Sequence, residues 1–294
     1  VGEITHTSEH YLNSYLSGQI PFQYGRTAAP NSFNLGKIFN VDRSDLKTIQ
    51  APYGSQPSTT VQAIAGTYST AAYTTTNDAL SVDNEVVVAE HIYDFEDVLT
   101  QLNVFESRVM EQTFAVAKAI DKFVLNYILE AGTGTYTTPV GGFTTAANIN
   151  TIMSNLISKV SGYSEVYKGM FLVIENTDLP GFIQAQATNG FSFADAALNN
   201  GFMGSYMGVD IYVARTGLFE DDATTADSGA ETWTNSGHRM FGVKGVATYA
   251  SPRGVRVKEI EVAGKTGKEL AVYGYIGAKL WYGKTDLIVD ITLA

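Results

Sequence analysis

The sequence predicts an α+β protein, and three observations carry that prediction. One very long amphipathic helix is written near residues 94–131, helices and strands alternate over 148–215, and the stretch from 238 onward is strand-like throughout. With 294 residues, 45% of them hydrophobic, the chain is long enough for one large core or two smaller ones.

Residues 1–46 carry aromatics at irregular spacing, Tyr11, Tyr15, Phe22, Tyr24, Phe33 and Phe39, among Gly, Pro and Asn, with no sustained period. They read as an extended arm. Large apolar groups in such number are poorly served by water, so the arm is expected to lie on a surface, its own or a neighbour's. Residues 51–84 are rich in Thr, Ser, Ala and Tyr and hold no Lys or Arg. A structureless loop of that length is unusual inside a compact domain. Val61, Ile64, Tyr68 and Tyr73 point instead to a long two-stranded excursion that bends near Gly66. An isolated hairpin is marginal in water, and another subunit is its simplest cover. The six arm aromatics, Tyr53 and these four hairpin positions are therefore the expected contacts between copies.

EVVVAEHIY (85–93) reads as a buried strand that leads into the helix. Asp94 suits the N-cap, Glu96 and Asp97 fall in the first turn, and Gly132 stands at the stop. The apolar stripe runs Val98, Leu102, Phe105, Val109, Thr113, Val116, Ile120, Val124, Tyr127, which is 29 residues in eight steps, about 3.6 per step. A coiled-coil seam would step at about 3.5, so the helix is read as a straight beam on a sheet, roughly 55 Å long.

Residues 133–146 look like a Gly/Thr/Pro hinge between domains. Gly132-x-Gly134 lacks the third glycine and the preceding strand of a phosphate-binding loop. Beyond it come a helix near Asn148–Val160, the strand Met170–Glu175, a helix from Thr177 to about Ala187 and the strand Val209–Arg215. In the acidic loop 216–237, Asp221, Asp222, Asp227 and Glu231 lack the cadence of a calcium loop and read as solvated. The closing strands end in alternating Leu287, Val289, Ile291 and Leu293, a half-buried pattern. Within VRVKEIEV the alternation changes phase at Lys258–Glu259, which predicts a bulge.

Composition narrows the function classes. A net charge of −11 disfavours a groove that grips nucleic acid phosphates, and sequence-specific DNA reading with it. No apolar run approaches about 20 residues and no basic-then-apolar leader is present, so a soluble chain is expected, without membrane contact. Cysteine is absent, which removes disulfides, thiolate catalysis and thiolate metal sites. Charged residues make up 17%, below the usual ~25%, a hint that other protein copies cover the surface. HTSEH (6–10) matches the pattern in which two imidazoles one turn apart hold zinc and a glutamate polarises water. His6, Glu9 and His10 have almost no chain upstream to brace them, and His91 and His238 lie in unrelated contexts. A zinc peptidase would carry near-stoichiometric metal; the preferred reading is a polar arm, with no catalytic or metal residue and no cofactor.

The run FESRVMEQTFAVAKAIDKFVLNYILEAGTG, with its "ID..VL" segment and glycine turn, is followed by NNGFMGSYMGVDIYVARTGL (199–218) and by the returning strands of 253–293. In that order of elements the whole chain resembles the major capsid proteins of tailed double-stranded DNA bacteriophages, a shell fold shared with herpesvirus capsids and encapsulins. The resemblance implies an N-terminal arm (1–48), an extended E-loop (49–92), a peripheral domain with the spine helix (93–138 and 246–294) and an axial domain (139–245). It implies self-assembly into hexamers and pentamers of an icosahedral shell, built in the bacterial cytoplasm and located in the virion. Its partners would be many copies of itself, decoration, scaffolding and portal proteins, and packaged DNA held without sequence reading. Some relatives weld subunits through an E-loop lysine, but no lysine lies between Lys47 and Lys118, so a shell without that crosslink is expected. A start at Val1 is compatible with a removed leader or scaffolding segment, with loss of the initiator, or with the limits of the expressed chain. An encapsulin-type compartment is the alternative; its subunits carry a cargo-peptide pocket where many phage subunits keep a long arm, and the arm here favours the virus.

Overall fold

A computed structural model describes residues 32–42, 46–54, 64, 75–92, 104–160, 169–189, 202–214, 217–219, 234–252, 254–261, 264 and 266–294. In chain order the elements are α1 (Ser32–Ile38), β1 (Asn40–Asp42), β2 (Thr48–Gly54), β3 (Thr75–Ser81), β4 (Asn84–Ile92), α2 (Val104–Ala131), β5 (Gly134–Thr137), α3 (Ala146–Val160), β6 (Met170–Glu175) and α4 (Leu179–Asn189). They continue with β7 (Phe202–Tyr206), β8 (Val209–Ala214), β9 (His238–Val243), β10 (Ala247–Ala250), β11 (Arg256–Glu261), β12 (Lys268–Leu280) and β13 (Ile288–Thr292).

Among the described residues the strands form three sheets. The first runs β1-β10-β12-β11, with β4 on the other side of β12; the second runs β5-β13-β9-β6-β8-β7; the third is the β2–β3 ribbon. α2 lies along β12 and reaches β4, α1 and β13. Its 3.6-residue stripe buries Val109, Val116, Ile120 and Val124, with Tyr127 partly covered. One hydrophobic cluster then runs from α2 through both large sheets to α3 and α4, where Phe143 stacks on Phe182 at 5.6 Å.

Several expectations need correction. The hinge assigned to 133–146 begins with a strand, because β5 pairs in parallel with β13. The glycines there serve close approach: a Cβ on Gly132 would sit 2.9 Å from Ile288 Cγ2, and one on Gly134 would sit 2.8 Å from the Ile288 carbonyl oxygen. β13 joins the sheet expected for the axial domain, lies between β5 and β9, and buries Ile288 as fully as Val289, so both of its faces are covered. β4 is half-buried and alternates along its length, because only one of its faces meets the core.

No bulge interrupts β11. Lys258, Glu259 and Ile260 face Ala271, Leu270 and Glu269 in unbroken register. The phase change is absorbed by turning the Glu259 carboxylate onto Lys268 and leaving Ile260 partly exposed. Phe39, expected at a contact between copies, is only 2% exposed and meets Phe171 edge-on at 5.6 Å, so its own core consumes it.

Asp121 is the anomaly of α2. It is 0% exposed, both its carboxylate oxygens lack a hydrogen-bond partner, and burial raises its pKa well above the ordinary carboxylate value of 3.8. Below that value the group is neutral in both states. As pH rises the unfolded chain ionises it while the folded chain retains the proton, so stability falls until the folded pKa is passed. Urea unfolding of the Asp121→Asn subunit is expected to show a stability advantage over the wild type that widens as pH rises above the ordinary carboxylate value. Parallel pH curves would mean that Asp121 is charged and paired.

Candidate functional site

The described residues hold no cluster of three or more His, Asp or Glu able to bind a metal ion. HTSEH and the acidic positions 221, 222, 227 and 231 lie outside the described residues. An open depression of about 540 Å³ beside the start of α3 is lined by Thr144, Thr145, Asn150, Gln184 and three alanines, none of which titrates near neutral pH.

Two surfaces have a built character. The first is the outer face of the first sheet. Residues of β4 alternate, and Val86 and Val88 turn to the core while Val87 is 56% exposed opposite Tyr273. Tyr275, 43% exposed, meets the Tyr273 ring edge-on at 6.0 Å. Ile260 adds an apolar edge on β11, and the exposed Arg256 and Lys258 supply positive charge on the same face. This band of apolar and aromatic groups, bordered by the cations Arg256 and Lys258 and by the carboxylates Glu85 and Glu269, suits burial against another protein surface.

The second is the root of the β2–β3 ribbon, which pairs from Thr48–Ser81 to Gly54–Thr75. The Asp78 carboxylate accepts hydrogen bonds from the Tyr282 N–H at 2.9 Å and from the Ala79 N–H at 3.0 Å, and pairs with Lys279 at 3.1 Å. Tyr53 stacks on the Tyr282 ring with centroids 4.3 Å apart. Leu80 is wholly buried, and the Val82 N–H donates to the Lys47 carbonyl at 2.9 Å.

A buried charge network braces the second sheet. Arg239 bonds Asp178 through Nε, lies 3.2 Å from Glu175 Oε2 and donates to the His238 carbonyl at 2.7 Å. His238 Nδ1 contacts both Asp290 oxygens, at 2.9 and 3.0 Å. Burial raises the Asp290 pKa, and His238 opposes part of that rise.

Of the expected contact residues, Tyr53 belongs to the root and Ile64 is fully exposed. Tyr11, Tyr15, Phe22, Tyr24, Val61, Tyr68 and Tyr73 lie outside the described residues, as do Val98 and Leu102 of the helical stripe. Phe33 and Phe105 fall in α1 and α2, where only their backbone is described. Sequence reading missed Asp78, Lys279 and Tyr282; Asp78 and Tyr282 are 204 positions apart, and no local pattern links them.

No protein-family model and no curated protein sequence matches the chain. Its fold, in contrast, is found in solved structures. The chain is similar to the capsid structure of the cyanophage P-SCSP1u, with a TM-score of 0.69, 13% identity, and 90% of this chain and 89% of that one covered. It is similar to the mature capsid of bacteriophage PhiM1 at a TM-score of 0.65 and 10% identity, covering 90% and 87%. A virus-like particle from Pyrococcus furiosus matches at 0.61 and 12% identity over 97% and 99%. The chain thus has the fold of tailed-phage capsid subunits, and the likeness spans nearly its full length.

Proposed function

We propose that the chain is a shell subunit, the major capsid protein of a tailed double-stranded DNA phage. The observation that carries this reading is the capsid-subunit likeness over 90% of the chain, with the ribbon and the outer sheet face as surfaces for neighbouring copies. Copies join head-to-tail into hexamers and pentamers and close into an icosahedral shell. The β2–β3 ribbon belongs to the E-loop, α2 and the first sheet, β4 included, form the peripheral domain, and the second sheet with α3 and α4 forms the axial domain. The net charge of −11 suits a wall along which DNA slides without sticking. Portal, scaffolding and decoration proteins are the further partners, the virion is the location with assembly in the host cytoplasm, and the role is structural rather than catalytic.

Deleting Pro57–Tyr73 is expected to leave a folded subunit that forms no closed particle, read by circular dichroism and electron microscopy. If the deletion unfolds the subunit, the ribbon belongs to the core. The second, less favoured reading is an encapsulin-type compartment, and a virus-like particle from Pyrococcus furiosus shares the fold. Native particles holding a co-purified protein and no DNA would select it.

A further inference from the structure

β3 and β4 form one run of chain broken at Val82 and Asp83, so that residues before the break pair with β2 and those after it pair with β12. A two-stranded ribbon on such a break is free to swivel unless its root is tied. Here β12 supplies the tie. Gly277 lies so close beneath the break that a Cβ on it would sit 2.3 Å from the Ser81 carbonyl oxygen. From there β12 runs on to Lys279, and the turn that follows it holds Tyr282; these are the two residues that Asp78 engages.

We propose that Asp78 is the positioning residue of the ribbon: its carboxylate, bound to the Tyr282 N–H and Lys279, fixes the direction in which β2–β3 leaves the body, and so where the ribbon meets a second copy of this chain. The consequence for assembly rests on the shell reading; the latch itself does not. Lys279 of β12 is the charged group that faces Asp78, while Lys47 and Asp83 on the other side of the root pair with each other at 3.6 Å. Burial works against ionisation of Asp78, but the Tyr282 N–H and the Lys279 ammonium outweigh it and hold the pKa below 3.8. With a depressed folded pKa the contact is present above that range and is lost only as pH falls through it, so the latch is closed at neutral pH.

The test uses full-length Asp78→Ala and Asp78→Asn. In the unassembled subunit, hydrogen exchange at Tyr282 and over 75–81 is expected to quicken roughly tenfold or more in Asp78→Ala, with α2 unchanged. Asp78→Asn, which keeps an acceptor for the Tyr282 N–H but loses the charge facing Lys279, falls between. Particle yield follows the same order, Asp above Asn above Ala, while the melting temperature stays nearly constant. Wild-type exchange in Asp78→Ala, global unfolding of that variant, or normal particles from a loosened ribbon each overturn the proposal. If the wild type itself makes no particles, the shell reading fails, and the exchange data still decide the latch.

Discussion

Ile120→Asp is expected to leave no soluble folded subunit. Ile120 lies in the middle of the buried stripe of α2, between Val116 and Val124, and belongs to the cluster that joins both large sheets. A carboxylate there has no polar partner, so it either stays charged in an apolar setting or takes up a proton, at a cost on the order of 4 kcal/mol or more. Against a total stability of roughly 5–15 kcal/mol that loss is severe, and assembly cannot rescue a subunit that does not fold. Lys118→Asp, on the exposed side of the same helix, is expected to change stability by no more than about 0.5 kcal/mol. The soluble fraction after expression and the urea midpoint of whatever remains soluble provide the comparison. Normal yield from Ile120→Asp would mean that the helix face is misassigned.

The second large effect is expected at Arg239. Its side chain is 3% exposed and is the cation between Glu175 and Asp178, both nearly as buried. Asp178 also accepts the Glu175 N–H at 3.1 Å, and Glu175 accepts the Gly217 N–H at 3.2 Å, so the cluster ties β6 to the loops at its end. Arg239→Met removes the positive charge and leaves two carboxylates facing one another in a dry site. Loss of one partner from a buried pair costs about 3–5 kcal/mol. Arg108→Ala supplies the contrast, since its partners Glu90 and Glu111 are substantially exposed and such pairs contribute about 0–1 kcal/mol. Urea unfolding of both variants at neutral pH gives the comparison. Equal, small losses would show that the Arg239 site is solvated.

The parts of this architecture that were legible in the sequence are those whose signal is local. The stripe through Val109, Val116, Ile120 and Val124 repeats at the helical period, and MFLVIE is a short apolar run that could hardly be anything but a buried strand. β5 escaped because Gly134–Thr137 has no apolar pattern of its own; its strand character comes from β13, about 150 residues further on. The false bulge arose from the phase change at Lys258–Glu259, which the strand accommodates without a bulge because Lys268 from the next strand pairs with the Glu259 carboxylate. Phe39 looked like part of a loose arm because the residues before it have no period, yet Phe171 provides its pocket. A two-stranded excursion was expected from Val61, Ile64, Tyr68 and Tyr73, but the strands that pair among the described residues are 48–54 and 75–81, and their tie to the body left no local signal. Asp78 sits in TTNDALS, where a lone carboxylate looks like ordinary surface polarity until Lys279 and Tyr282 are brought beside it.

The shell reading requires a subunit surrounded by copies of itself. Electron microscopy of the concentrated, full-length protein tests it most directly. Closed shells of uniform diameter built from rings of five and six subunits are expected; a field of single compact molecules at every concentration, with the ribbon folded back on its own sheet, would contradict the shell reading.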